Sequence, residues 1–160
     1  MTKKELARLV NEKLDIMYLD AKCGLDYNNI FELIVAVTLS AQTTDVSVNK
    51  VTPVLFSKYK DAYSLANADV LDVEDIIRSI GLYKNKAKNI INLSKELISK
   101  FNGVVPNSLD ELMSLSGVGY KTASVVLVEG FKIPAFPVDT HISRISKRIG
   151  LVKESLDPTE

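Results

Sequence analysis

Hydrophobic residues recur along this chain at the spacing of amphipathic helices. Between Lys3 and Leu14, and again between Lys84 and Phe101, they stand three or four positions apart, which places them on one helix face. Residues 30–41 (IFELIVAVTLSA) are apolar nearly all round, a pattern that fits a buried helix or a buried strand. The length of the segment and the Asn28-Asn29 pair before it favour a helix.

Signals for helix starts and ends predict further helices. Asp45 is expected to cap a helix that runs to about Tyr59, in which Pro53 predicts a kink or a late start. A short helix is expected over 72–80, with Gly81 just past its end.

The second half of the chain carries similar signals. Asn102-Gly103 closes the long helix, Ser108 and Glu111 form a capping-box pattern, and a last helix is expected over 140–149. A polar tail at 153–160 is expected to fray. No run alternates as a strand would, so the sequence predicts an all-α fold.

Composition narrows the class of protein. The 160 residues suffice for one domain, or for one domain and part of another. The single cysteine, Cys23, excludes an internal disulfide and a cysteine-only metal cage within these residues. No apolar run has the length of a membrane span, and the charged first helix does not resemble a secretory signal, so we expect a cytoplasmic monomer.

Charge gives a mixed indication about partners. Twenty basic residues balance twenty acidic ones, whereas nucleic-acid-binding proteins usually carry a basic excess. The long helix places five lysines on the side away from its apolar stripe, and we expect these to form a solvated surface: Lys84, Lys86, Lys88, Lys95 and Lys100.

The most informative stretch is 112–130, LMSLSGVGYKTASVVLVEG. It predicts two helices joined by a tight turn at 116–119, in which Gly117 and Gly119 allow close backbone approach and Val118 enters the core. The amides of the turn and the positive end of the second helix would together suit an anion such as a DNA phosphate. A purely structural turn has the same pattern.

Lys121 is the lone charge at the head of an apolar helix. Partial desolvation and the helix N-terminus would both disfavour its ammonium form, and a neutral amine can attack an electrophilic carbon. A lysine that reaches water from the first turn is the simpler alternative. Eighteen residues later, Asp139 begins the last helix, where it is a suitable N-cap, and His141 follows in the first turn as a surface residue or a phosphate contact.

These segments resemble a known family. SGVGYKTASVVL at 116–127, followed by FPVDTHISRI at 136–145, is similar to the helix-hairpin-helix and the Gly/Pro-rich loop with its aspartate in DNA base-excision glycosylases. The segments at 31–51, 80–90 and 102–119 are most similar to those of endonuclease III.

The resemblance implies an activity and a set of site residues. It implies excision of damaged bases, such as oxidised pyrimidines, from double-stranded DNA, and cleavage at abasic sites by β-elimination. Lys121 would be the nucleophile and Asp139 its acidic partner. The remaining positions matched to DNA binding are Gln42 in the gap left by the flipped nucleotide, Leu82 as the wedge opposite it, the hairpin residues Gly117, Val118 and Gly119, and His141.

The resemblance also implies a domain division. We expect residues 1–25 to belong to a second, incomplete helical domain, 26–132 to form a domain with its helix-hairpin-helix at about 108–130, and 133–160 to supply the loop and the start of the second domain. Family members continue to four cysteines that hold a 4Fe–4S cluster. These residues contain none of the four, so we expect no cofactor, apart from a monovalent cation on the carbonyls near Met113, Leu115 and Val118.

Three alternatives remain open at this stage. An adenine-type glycosylase normally lacks the lysine found at 121, and an 8-oxoguanine glycosylase fits 31–51 and 80–90 less well. The third is a catalytically impaired fragment that serves as a non-specific DNA-binding module.

Overall fold

A computed structural model describes residues 1–155 and is helical, with no strand in that range. The all-α prediction is confirmed. Most of the polar tail, residues 156–160, lies outside the described part. The helices in residues 1–155 are α1 (Lys3–Met17), α2 (Ile30–Leu39), α3 (Asp45–Lys58), α4 (Ala62–Ala66), α5 (Val70–Ile76), α6 (Tyr83–Phe101), α7 (Leu109–Met113), α8 (Tyr120–Val125), which continues as a π-helical segment (Val126–Gly130), and α9 (Thr140–Arg148).

The chain divides into two compact units. The larger comprises Gly24–Pro137, and the smaller comprises Met1–Cys23 together with Val138–Glu160. The helix-hairpin-helix segment lies wholly within the larger unit. Assignment of the smaller unit to an incomplete second domain stays a prediction.

Helix α2 forms the centre of the larger unit. Every residue from Glu32 to Leu39 is buried, and the helix packs against α3, α6, α8 and the π-helical segment. Because neighbours cover α2 on several sides, its apolar residues need not follow a single stripe. Asn29 caps it by accepting a hydrogen bond from the Glu32 amide at 2.9 Å, which confirms the predicted start.

Two predicted helix starts are wrong by a few residues. Thr44, not Asp45, caps α3, and its hydroxyl accepts from the Ser47 amide at 3.2 Å. Pro53 lies inside α3 without ending it. Helix α5 begins at Val70 behind the cap Asp69, so the predicted span of 72–80 starts too late and ends too late. The short α4 was not predicted.

The long helix α6 has nearly the predicted bounds, and one of its lysines differs from expectation. Asn102 and Gly103 adopt left-handed backbone conformations, with φ of 54° and 79°, and close the helix as predicted. The lysines at 84, 88, 95 and 100 are exposed, but Lys86 is only 5% exposed. The solvated-surface prediction is therefore wrong for Lys86.

The smaller unit contains α1 and α9. Thr2 and Glu5 form a capping box at the start of α1, and Asp139 caps α9. Neither helix contains a buried residue. Within residues 1–155, no helix has the length and hydrophobicity needed to cross a membrane.

Candidate functional site

The turn between α7 and α8 is pressed against the rest of the larger unit. Gly117 has a φ of +77°, and a Cβ there would lie 3.0 Å from Asn89 Cβ on α6 and 3.1 Å from Thr38 Cγ2 on α2. Val118 is 6% exposed and its amide donates to the Leu115 carbonyl at 3.1 Å. The predicted inward placement of Val118 is confirmed, and Gly117 is required by the protein's own packing.

Gly119 differs from Gly117 in its surroundings. It is the N-cap of α8, its φ of −93° suits any residue, and a Cβ there would have no atom within 4 Å. It also has no side chain with which to cap the first-turn amides of α8. The outer side of the hairpin is therefore open to another molecule, with the positive end of α8 behind it.

Helix α6 fixes the entry to this hairpin through two side chains. The Glu96 carboxylate accepts from the Ser116 amide at 2.6 Å and from the Ser116 hydroxyl at 3.1 Å. One turn further along α6, the Lys100 ammonium donates to the Ser114 carbonyl at 3.1 Å. The backbone leading into the turn is thus held in place before any ligand arrives.

Lys121 is the second residue of α8, directly after the hairpin. Behind it the helix is buried through Ala123, Ser124, Val126 and Leu127, as the apolar sequence predicts. Lys121 itself is exposed, so the predicted partial burial of its amine is wrong. Lys121 does lie in the first turn of α8, next to the open side of the hairpin.

Gln42 and Leu82 lie on neighbouring loops of the larger unit. Both are exposed, and both have left-handed backbones, with φ of 54° and 58°. The loops meet where a Cβ on Gly81 would lie 4.0 Å from Thr43 Oγ1. Two positions separated by forty residues in sequence are thus brought together at the start of α6.

Asp139 and His141 belong to the smaller unit. Asp139 caps α9 by accepting from the Ile142 amide at 2.8 Å, and His141 is exposed in the first turn. The local prediction for Asp139 is confirmed. Asp139 and Lys121 lie in different units, and their pairing as nucleophile and acidic partner stays a prediction.

The metal-ligating residues do not fit an iron–sulfur cluster. Such a cluster needs four cysteine ligands, and these 160 residues contain only Cys23. No group of three or more His, Cys, Asp or Glu side chains within residues 1–155 is arranged to hold a metal ion. At the hairpin, the Leu115 carbonyl already accepts from Val118, and the monovalent cation stays a prediction.

Lys86 and Glu96 were not singled out from the sequence. Lys86 stands four positions before Ile90, at the spacing of the buried stripe, so helical periodicity could have placed it inside. Glu96 gave no such signal, because its importance comes from a contact with Ser116, twenty residues away in sequence.

Comparison with known proteins agrees with these features. The model of the family described as "HhH-GPD superfamily base excision DNA repair protein" matches residues 35–160. Endonuclease III of Bacillus subtilis is 49% identical over 142 residues, which is 89% of this chain and 65% of that protein. Endonuclease III of Synechocystis is 46% identical over 158 residues, which is 98% of this chain and 72% of that protein.

Solved structures give the same family. Endonuclease III in a non-covalent complex with DNA superposes with a TM-score of 0.92 at 47% identity, covering 99% of this chain and 74% of that one. A thermostable thymine-DNA glycosylase, at 23% identity and a TM-score of 0.86, shares the fold. This chain spans about two thirds of the length of its curated relatives, 65% and 72% for the two named above. It belongs to the HhH-GPD superfamily of base excision DNA repair proteins and, within that superfamily, to the endonuclease III family.

Proposed function

We propose that this chain binds double-stranded DNA, removes damaged bases such as oxidised pyrimidines, and cleaves the strand at abasic sites. One observation carries the proposal: in a member of the endonuclease III family, Lys121 projects from the first turn of α8 directly after an open glycine hairpin. Its substrate would be the DNA of the cell that makes it, and we propose that it acts in the cytoplasm.

The hairpin would supply binding without sequence preference. The first-turn amides of α8 and the positive helix end suit a phosphate oxygen, and phosphate contacts position a protein without reading bases. Gly119 has no Cβ to keep the strand at a distance. His141 would add a contact from the smaller unit.

Lys121 and Asp139 would carry out the chemistry. Asp139 takes a proton from the Lys121 ammonium, and the neutral amine attacks C1′ of the damaged nucleotide. The bond from C1′ to the base breaks, and the base leaves with the bonding electrons and takes up the proton that Asp139 holds. The C1′–O4′ bond then breaks as a proton moves from the lysine nitrogen to O4′, which opens the sugar ring to a protonated Schiff base between C1′ and the lysine nitrogen and acidifies the C2′ hydrogen. Loss of that proton expels the 3′ phosphate and breaks the strand.

Gln42 and Leu82 would act at the extrusion step. Turning a nucleotide out of a duplex costs a few kcal/mol of unstacking, and side chains that fill the vacated space offset part of that cost. Both residues are exposed at the junction of the two loops, as such a role requires.

A second candidate is a DNA-binding module without catalysis. It is favoured by the lack of buried residues in α9, because Asp139 caps that helix and its position depends on how firmly the helix is held. In that case the hairpin would still bind phosphate and the strand would stay intact.

Strand scission separates the two candidates. The protein is incubated with a duplex that contains one abasic site, and the products are resolved on a denaturing gel. We expect a 3′ unsaturated aldehyde, the β-elimination product, from the wild-type protein, and some cleavage of the same abasic duplex by Asp139→Asn. On a second duplex that contains one oxidised pyrimidine in place of the abasic site, we expect slower base release by Asp139→Asn. Binding by the wild-type protein without any scission would contradict the proposed enzyme and favour the module.

A further inference from the structure

Lys86 is a buried lysine with no part in the chemistry above. It is 5% exposed and lies on α6 beside Ala87, at the edge of the buried stripe. Burial lowers the pKa of its ammonium group, because the charged form loses hydration. An apolar residue at this position would avoid the free-energy cost of burying a charge. The contacts of the Lys86 ammonium therefore indicate why a charged residue lies here.

Those contacts join two loops. The Lys86 backbone amide donates to the Leu82 carbonyl at 3.0 Å, and its ammonium donates to Thr43 Oγ1 at 2.5 Å. Thr43 is the residue after Gln42, and Leu82 is the residue before α6. The bond to Leu82 is the ordinary first-turn backbone bond of α6, so the bond from the Lys86 ammonium to Thr43 is what this side chain itself adds between the two segments that carry the exposed tips.

The conformation of both tips requires such support. Gln42 and Leu82 adopt left-handed backbones, which are strained for residues other than glycine and persist only where the surroundings hold them. The hydroxyl of Thr43 faces Gly81 as well as Lys86, so the contact lies at the point where the loops meet.

We propose that Lys86 is a positioning residue that holds the Gln42 loop against the start of α6, so that Gln42 and Leu82 enter the duplex as a preset pair. The inference rests on the proposed function and deepens it. Without this bond the Gln42 loop moves independently of Leu82, and the two side chains no longer arrive together. The affected step is insertion into the duplex, not attack by Lys121.

Fluorescence of a base analogue tests insertion apart from catalysis. A duplex carries a non-cleavable tetrahydrofuran abasic analogue, with 2-aminopurine next to the base opposite it, and unstacking raises the emission. We expect saturating wild-type protein to raise it. Lys86→Met and Thr43→Val each remove one side of the same bond, and loss of a hydrogen bond to a charged group lowers an equilibrium constant by about tenfold or more. We therefore expect an insertion equilibrium constant about tenfold lower, and a smaller amplitude at saturation, for each variant.

Matched variants keep the test specific. Lys88→Met removes an exposed charge from the same helix and should keep the wild-type amplitude. The double variant should be no lower than either single variant, because both changes remove one interaction. If Lys86→Met does not fold, Thr43→Val alone tests the positioning role of Lys86.

The outcomes separate this inference from the proposed function. A rise in emission equal to that of the wild-type protein, in Thr43→Val or in folded Lys86→Met, would overturn the positioning role. A wild-type protein that does not raise the emission would overturn it as well. Wild-type protein that raises the fluorescence but does not cut the matching natural abasic duplex would contradict the proposed lyase, while the variants would still report on Lys86.

Discussion

Glu96 on α6 accepts two hydrogen bonds from Ser116, one from the backbone amide at 2.6 Å and one from the hydroxyl at 3.1 Å. The contact fixes the backbone immediately before Gly117 from a helix that is otherwise remote in sequence. The long helix α6 therefore supports the hairpin at one part of its length and the Gln42 loop, through Lys86, at another.

Replacement of Glu96 should loosen the hairpin. Glu96→Ala leaves the Ser116 amide and hydroxyl without their acceptor, which we expect to cost about 1–3 kcal/mol of unfolding free energy. DNA affinity should fall as well, because the hairpin is less well ordered before binding. Denaturant unfolding and a DNA titration measure the two effects. Asn92→Ala, an exposed change one turn earlier in α6, is the control, and equal behaviour of the two variants would show that the contact is unimportant.

The two hairpin glycines should respond differently to alanine. Gly117→Ala requires a left-handed alanine, which costs about 1–2 kcal/mol, and adds contacts at 3.0 Å with Asn89 and 3.1 Å with Thr38. Gly119→Ala meets no atom within 4 Å and has an ordinary backbone. We expect Gly117→Ala to lower stability, and Gly119→Ala to keep stability while weakening DNA binding. Unchanged DNA affinity in Gly119→Ala would argue against strand contact at this side of the hairpin.

Tyr59 should limit stability at alkaline pH. Burial, followed by the hydrogen bond to Asp72, raises its pKa from 10.0 to about 12. Between these values the unfolded state loses the phenolic proton while the folded state keeps it, so the unfolding free energy falls as pH rises through this range. Tyr59→Phe should remove this contribution. Unfolding curves at pH 9 and pH 11.5 compare the two proteins, and equal losses in both would refute the assignment.

The helices of the two units should differ in local stability. Helix α9 has no buried residue, whereas α8 and the π-helical segment bury Ala123, Ser124, Val126 and Leu127. Local opening needs less free energy where few apolar contacts hold a helix. Hydrogen exchange should therefore be much faster in the amides of 140–148 than in those of 122–128. Similar strong protection in both would show that α9 is held firmly.

Local signals predicted much of this molecule, and long-range contacts account for most of what was missed. The Ser108 and Asp139 caps and the Asn102-Gly103 end of α6 follow from side-chain and backbone preferences within a few residues. Helical periodicity could have placed Lys86 inside, but its hydrogen bond to Thr43, forty-three residues away, is a contact that no local pattern reports.

In the candidate site, too, the sequence predicted the local structure and missed what depends on packing. Glycine spacing predicted the hairpin and the inward Val118, because the turn is a local structure. The apolar neighbours of Lys121 in sequence predicted partial desolvation of its amine, but Lys121 is exposed, because exposure in the first turn depends on how α8 packs.

Covalent trapping tests the central claim, that Lys121 is the nucleophile of an endonuclease III-type lyase. The protein is incubated with abasic duplex in the presence of borohydride, which reduces a Schiff base to a stable amine, and the cross-linked species is resolved by gel electrophoresis. We expect the wild-type protein to be trapped, and Lys121→Gln to give no adduct while it keeps most of its DNA binding, because the hairpin amides are unchanged. Equal trapping of the two proteins, or no trapping of the wild-type protein, would contradict the account.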